Sequence, residues 1–124
     1  MEDWAPITEE EIASLIADAV AVMEPPARSL WSLIRIRPAK WRLSPWGDEG
    51  GGFWAVGILG QRVVWYNDIE EGFNISRYEH HGVISDYRCN QDELQDTMRA
   101  LLWQFESGEA PGHFGPPEPL SFDA

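Results

Sequence analysis

The chain has 124 residues, enough for one domain and too few for two ordinary ones. Hydrophobic residues make up 44% and charged residues 24%, which excludes an intrinsically disordered chain. Nine basic residues against 21 acidic ones give a net charge of −12, which argues against nucleic acid and anionic membrane surfaces as partners, since both are polyanions.

A single cysteine allows no internal disulfide. No basic segment followed by an apolar run opens the chain, and no stretch approaches membrane-spanning length. The expectation is a cytoplasmic protein with one domain over residues 1–108 and a tail over 109–124, where four prolines and two glycines fall.

Thr8 followed by Glu11 forms a capping-box pattern, and Glu9 and Glu10 suit the positive end of a helix dipole. Ile12, Leu15, Ile16, Ala19, Val20 and Met23 recur at helical spacing, and Pro25-Pro26 ends the run. The spacing predicts a helix over Thr8 to Met23. Leu33, Ile34 and Ile36 interleave with Ser32, Arg35 and Arg37, so Leu30 to Arg37 reads as a strand, with Pro38 closing it or marking a sheet edge. Between Ala39 and Gly52 the signals conflict, and Ser44, Pro45, Gly47 and Gly50 to Gly52 favour a loop.

Phe53 to Leu59 and Arg62 to Asn67 flank Gly60-Gln61, a two-residue loop suited to a type II′ hairpin. Pairing Leu59 with Arg62 puts Trp54, Val56, Ile58, Val63 and Trp65 on an apolar face expected to meet the helices. Phe53, Ala55, Gly57, Leu59, Arg62, Val64, Tyr66 and Asp68 fall on a mixed face suited to solvent or a partner. After an acidic turn over Asp68 to Gly72, Phe73 to Glu79 and Val83 to Arg88 read as a second hairpin. Asn90 with Glu93 reads as a cap, and Leu94, Met98, Leu101, Leu102 and Phe105 form a helical stripe ending near Ser107-Gly108. Helix, four or five strands, helix predicts an α+β two-layer sandwich: an antiparallel sheet with the N-terminal and C-terminal helices on one face.

Few residues carry recognisable chemistry. His80, His81, Cys89 and His113 lack the spacing of a metal site, so no metal and no cofactor is expected. The turn from Asp68 departs from a calcium loop, because Phe73 stands where glycine is required. Gly47 to Gly52 carries Asp48 and Glu49, which a phosphate cradle would not. Cys89 reads as a small buried apolar residue. Of the seven tryptophans, Trp54, Trp65 and Trp103 fit the core by periodicity. Trp41 and Trp46 serve either as plugs at the end of the sandwich or as recognition residues.

The run from Trp65-Tyr66-Asn67-Asp68-Ile69-Glu70-Glu71-Gly72-Phe73-Asn74 through Ser76, Arg77 and Tyr78 to Asn90-Gln91-Asp92-Glu93-Leu94 resembles small acidic bacterial proteins, some of them cargo of mobile gene cassettes. The resemblance spans Phe53 to Leu102. No activity travels with it, so it assigns no functional residue.

Two functional classes suit these features. One is a non-enzymatic acidic binding protein, in the manner of immunity or inhibitor proteins, that captures a basic protein partner. It would use the carboxylates of Asp68, Glu70 and Glu71 with Tyr66 as an apolar platform. The alternative is a small-ligand binder or enzyme with a pocket on the mixed face, lined by Tyr66, Tyr78 and Trp46, with Asp68 or His80 as polar contacts. The sequence leaves the oligomeric state open, a homodimer included.

Overall fold

A computed structural model describes residues 4–108, so the tail over 109–124 lies outside the described residues, with His113. The elements are α1 (Glu9–Val22), α2 (Pro25–Ile34), β1 (Arg35–Trp41), β2 (Phe53–Leu59), β3 (Arg62–Asn67), β4 (Gly72–Arg77) and α3 (Leu94–Ser107). The strands form one antiparallel sheet in the order β1-β2-β3-β4. The fold is α+β, with the helices on one face of the sheet. Among the described residues, no helix is long and apolar enough to cross a membrane.

Helix α1 starts as its sequence dictates. The Thr8 hydroxyl accepts from the Glu11 N–H at 3.1 Å and the Glu11 carboxylate accepts from the Thr8 N–H at 2.9 Å, completing the capping box. Helix α2 corrects the reading of Leu30 to Arg37 as a strand. Pro25 and Pro26 stop α1 and then open α2, at positions where a missing N–H costs nothing. Ala27, Leu30, Trp31 and Ile34 are buried at i, i+3, i+4 and i+7, a helical stripe that the alternation after Leu33 obscures. The strand β1 follows it directly and carries Pro38 on a sheet edge.

The Gly60-Gln61 turn has positive φ at Gly60 alone, as a type II′ hairpin requires, and Leu59 pairs with Arg62. Beyond Gly57 the expected register fails. Val56 is an extra residue in β2, so Ala55 pairs with Trp65 and Trp54 with Tyr66. The bulge divides the expected apolar face. Trp54 and Val56 join Val64, Tyr66 and Phe73 beneath the helices, whereas Ile58, Val63 and Trp65 point to the opposite side. Glycine at position 57 leaves room for Ile34, since a Cβ there would lie 2.8 Å from Ile34 Cδ1.

The opposite face is a second core of Trp41, Leu43, Phe53, Ala55, Val63, Trp65 and Ile84, closed by loops. Trp41 is 1% exposed and acts as a plug. Trp46 is 44% exposed and stacks on Tyr87 with ring centres 4.5 Å apart. Residues 78–92 form no second hairpin. They make a strap along β4, because Asn74 and Ser76 hold it through their side chains. Asn74 pairs with the backbone of Asn90, and the Ser76 hydroxyl donates to Asp86 O at 2.8 Å. Asn90 is thereby drawn away from α3, whose N-cap is Glu93 without a side-chain bond. Trp103 does not reach the core and is 47% exposed, and Cys89 is exposed as well.

Candidate functional site

The β3–β4 turn is built around Asn67, which is fully buried. Its side-chain carbonyl accepts from the Ile69 and Glu70 N–H groups at 3.0 and 3.1 Å, while its amide donates to Arg88 O at 2.9 Å. The Glu71 N–H closes the turn on Asn67 O at 2.7 Å, with Glu71 in the left-handed region at φ 62°. This one side chain fixes the backbone of Ile69 and Glu70, with Asp68 half-buried and Ile69 exposed.

The N-terminal segment is laid across this turn. The Asp68 carboxylate accepts from the Ile7 N–H at 2.9 Å, and Trp4 Nε1 donates to Asp68 O at 3.1 Å. Ile7 O in turn accepts from Trp54 Nε1 at 2.8 Å. Ile69, within the turn, is 44% exposed, and Trp4, bonded to the turn at Asp68 O with its ring edge reaching the glycine loop at Gly50, is 37% exposed. The described ion pairs are Arg37–Glu9, Arg88–Asp86 and Arg99–Asp96, and none of them involves Asp68, Glu70 or Glu71.

Lys40 lies close enough to this end of the sheet to feel the Asp68 charge. Its ammonium donates to Gly50 O at 3.0 Å and Gly52 O at 3.2 Å and lies 4.7 Å from the centre of the Trp54 ring. Burial lowers its pKa, and the Asp68 charge partly offsets that. Its donors are directed inward, so it ties the glycine loop to the sheet and leaves the glutamates uncompensated.

The residues singled out from the sequence do not converge on one spot. Asp68, Glu70 and Glu71 share the turn, as expected. Tyr66 is 8% exposed and packs edge-on against Phe73 under the helices, so it offers no surface platform. Burial raises its pKa, and the charges of Glu71 and Asp68 raise it further. Tyr78 sits at the other end of the sheet, its hydroxyl donating to Gly60 O at 2.8 Å and its ring against Trp41. His80 is exposed in the strap, and Trp46 lies over the second core. The exposed apolar residues at the acidic turn are Ile69 and Trp4 instead. Periodicity does not reveal them, because one precedes the first helix and the other sits inside a turn. The Asn67-Asp68 pair was the available signal for a side-chain-locked turn.

Among the described residues, no three His, Cys, Asp or Glu side chains are grouped to hold a metal ion. A shallow cleft of about 60 Å³ between the α1–α2 junction and α3, lined by Val22, Glu24, Pro26, Ala27, Arg99 and Leu102, is too small for an organic ligand. No protein-family model matches the chain, and comparison with curated proteins and with solved structures likewise finds no match. The fold and this turn define an α+β protein presenting an acidic, aromatic-edged end of its sheet.

Proposed function

We propose that the protein is a non-enzymatic binding protein that captures a basic partner at the Trp4–Ile69–Glu70–Glu71 end of its sheet, as immunity and inhibitor proteins do. The observation that carries this reading is that two exposed apolar residues, Ile69 within the turn and Trp4 bonded to its Asp68 carbonyl, accompany two carboxylates that form no ion pair among the described residues. An arginine or lysine of a partner would find charge and a flat apolar surface together. The net charge of −12 would speed its approach. Strain supports the same reading. Glu71 holds a left-handed backbone that glycine would adopt without cost, and such outliers concentrate where function demands a particular side chain. The alternative of a ligand pocket on the mixed face has less support, because the helices cover Val64 and Tyr66 of that face.

A calorimetric titration with an oligoarginine peptide tests the reading. Glu70→Gln with Glu71→Gln should weaken binding about tenfold or more at low salt, as befits two local charges. Removing two charges elsewhere, with Glu10→Gln and Asp18→Gln, should weaken it far less. Trp4→Ala should weaken binding in a way that salt does not alter, since exposed charges are screened over about 8 Å but apolar contacts are not. Equal losses from both charge pairs would reduce the effect to net charge and defeat the proposal.

A further inference from the structure

The opposite end of the sheet has the opposite character. β3 begins with Arg62 and β4 ends with Arg77, and the two stand directly across from each other. They lie two residues beyond the Val64–Ile75 pair, on the same side of the sheet. Arg62 is half-buried and Arg77 exposed. Neither guanidinium has an ion-pair partner among the described residues. Asp86 reaches β4, but its oxygens accept from the Arg77 backbone N–H at 3.2 Å and from Arg88 Nε at 2.8 Å.

Like charges directly opposite on a sheet are destabilising. A chain with 21 acids and nine bases has ample means to neutralise such a pair, yet it leaves this one bare. The backbone beneath it is also locked. Tyr78 bonds the hairpin tip twice, from its N–H to Gln61 O at 2.9 Å and from its hydroxyl to Gly60 O at 2.8 Å. Two guanidinium forks therefore rise from fixed positions, with Cβ atoms about 5 Å apart. A carboxylate has two oxygens and is satisfied by one fork, whereas a phosphate monoester offers three oxygens and nearly two charges, which suits two forks. A long polyanion is excluded by the negative remainder of the surface.

We propose that Arg62 and Arg77 form a binding site for a single phosphate group of a small molecule, independent of the acidic end. The test is a ¹⁵N-edited NMR titration of the full chain at constant ionic strength, with inorganic phosphate, glycerol phosphate and acetate as separate arms. Phosphate should give saturable shifts at the amides of Gly60, Gln61, Arg62, Arg77 and Tyr78, with acetate about tenfold weaker. Arg62→Gln and Arg77→Gln should each abolish saturation without lowering the thermal midpoint, and Arg77→Lys should retain part of the binding. Tighter binding of glycerol phosphate would identify an ester as the ligand, and equal binding would identify the free ion. Linear shifts, equal effects of acetate, or saturation that survives both glutamine variants would overturn the proposal.

Discussion

Ile84 and Ser85 are consecutive, yet their N–H groups bond to opposite margins of the sheet: Ile84 to Arg42 O at 2.9 Å, just past β1, and Ser85 to Arg77 O at 3.0 Å, at the end of β4. In a flat four-stranded sheet the edge strands would stand about 14 Å apart, three spacings of about 4.8 Å. One residue step of about 3.8 Å joins the two bonds, so the chain past β1 and the end of β4 meet through this segment over the second core. Ile84 is the side chain that this junction drives inward, and it is 2% exposed. Ile84→Ala should cost about 2–4 kcal/mol in urea unfolding. Amide exchange should quicken at Ile84 and Ser85 together, since one contact seats both. Independent exchange at the two sites would contradict the junction.

Gly72 is a second point where backbone meets backbone. A Cβ there would stand 2.1 Å from Asn90 O and 2.3 Å from Gln91 Cα, atoms that cannot yield by rotating a side chain. Gly72→Ala should therefore displace the strap and destabilise the protein by about 3 kcal/mol or more. A loss below about 1 kcal/mol would mean the strap lies farther from β4 than these contacts require.

Glu71 offers the reverse case. Its left-handed backbone at φ 62° favours glycine, so Glu71→Gly should raise stability by about 1 kcal/mol. The same change should weaken capture of the oligoarginine peptide. Higher stability with lower affinity is the expected pattern where a strained residue serves binding. A variant that is both more stable and equally competent would remove Glu71 from the site.

Tyr66 predicts a change in stability at alkaline pH. Its pKa is raised above 10.0 by burial, then by Glu71 and Asp68, so the folded protein holds this proton where the unfolded chain has lost it. The associated stability is complete below pH 10.0 and is lost as pH climbs through the raised value. Phenolate absorbance should show a late-ionising phase at alkaline pH. Tyr66→Phe should remove that late phase. A late phase that persists in Tyr66→Phe would contradict the assignment.

How much of this was legible depends on whether the deciding contacts were local. The capping box at Thr8 and the Gly60-Gln61 turn are local patterns, and each forms as read, whereas the α3 stripe holds through Leu94, Met98 and Leu101 and fails at Phe105, which is exposed. Helix α2 was hidden because Leu33 is an exposed apolar residue that breaks the helical stripe and imitates alternation. The extra residue at Val56 was hidden because no feature of β2 by itself announces it, and the Ile34 side chain that packs against Gly57 is distant in sequence. At the acidic turn, the three carboxylates were visible in the run from Asp68 to Glu71. Trp4 was not, since its place depends on one bond to a carbonyl 64 positions away.

The strap has a further consequence for how this molecule meets others. The main chain of β4 is engaged at both ends, through Phe73 to Asp92 O and through Arg77 to Ser85 and Asp86. The β1 edge is interrupted by Pro38 and by a shift of register between Arg35 and Ala39. Neither edge offers the uninterrupted ladder on which another chain could add a strand, which also guards the fold against edge-to-edge aggregation.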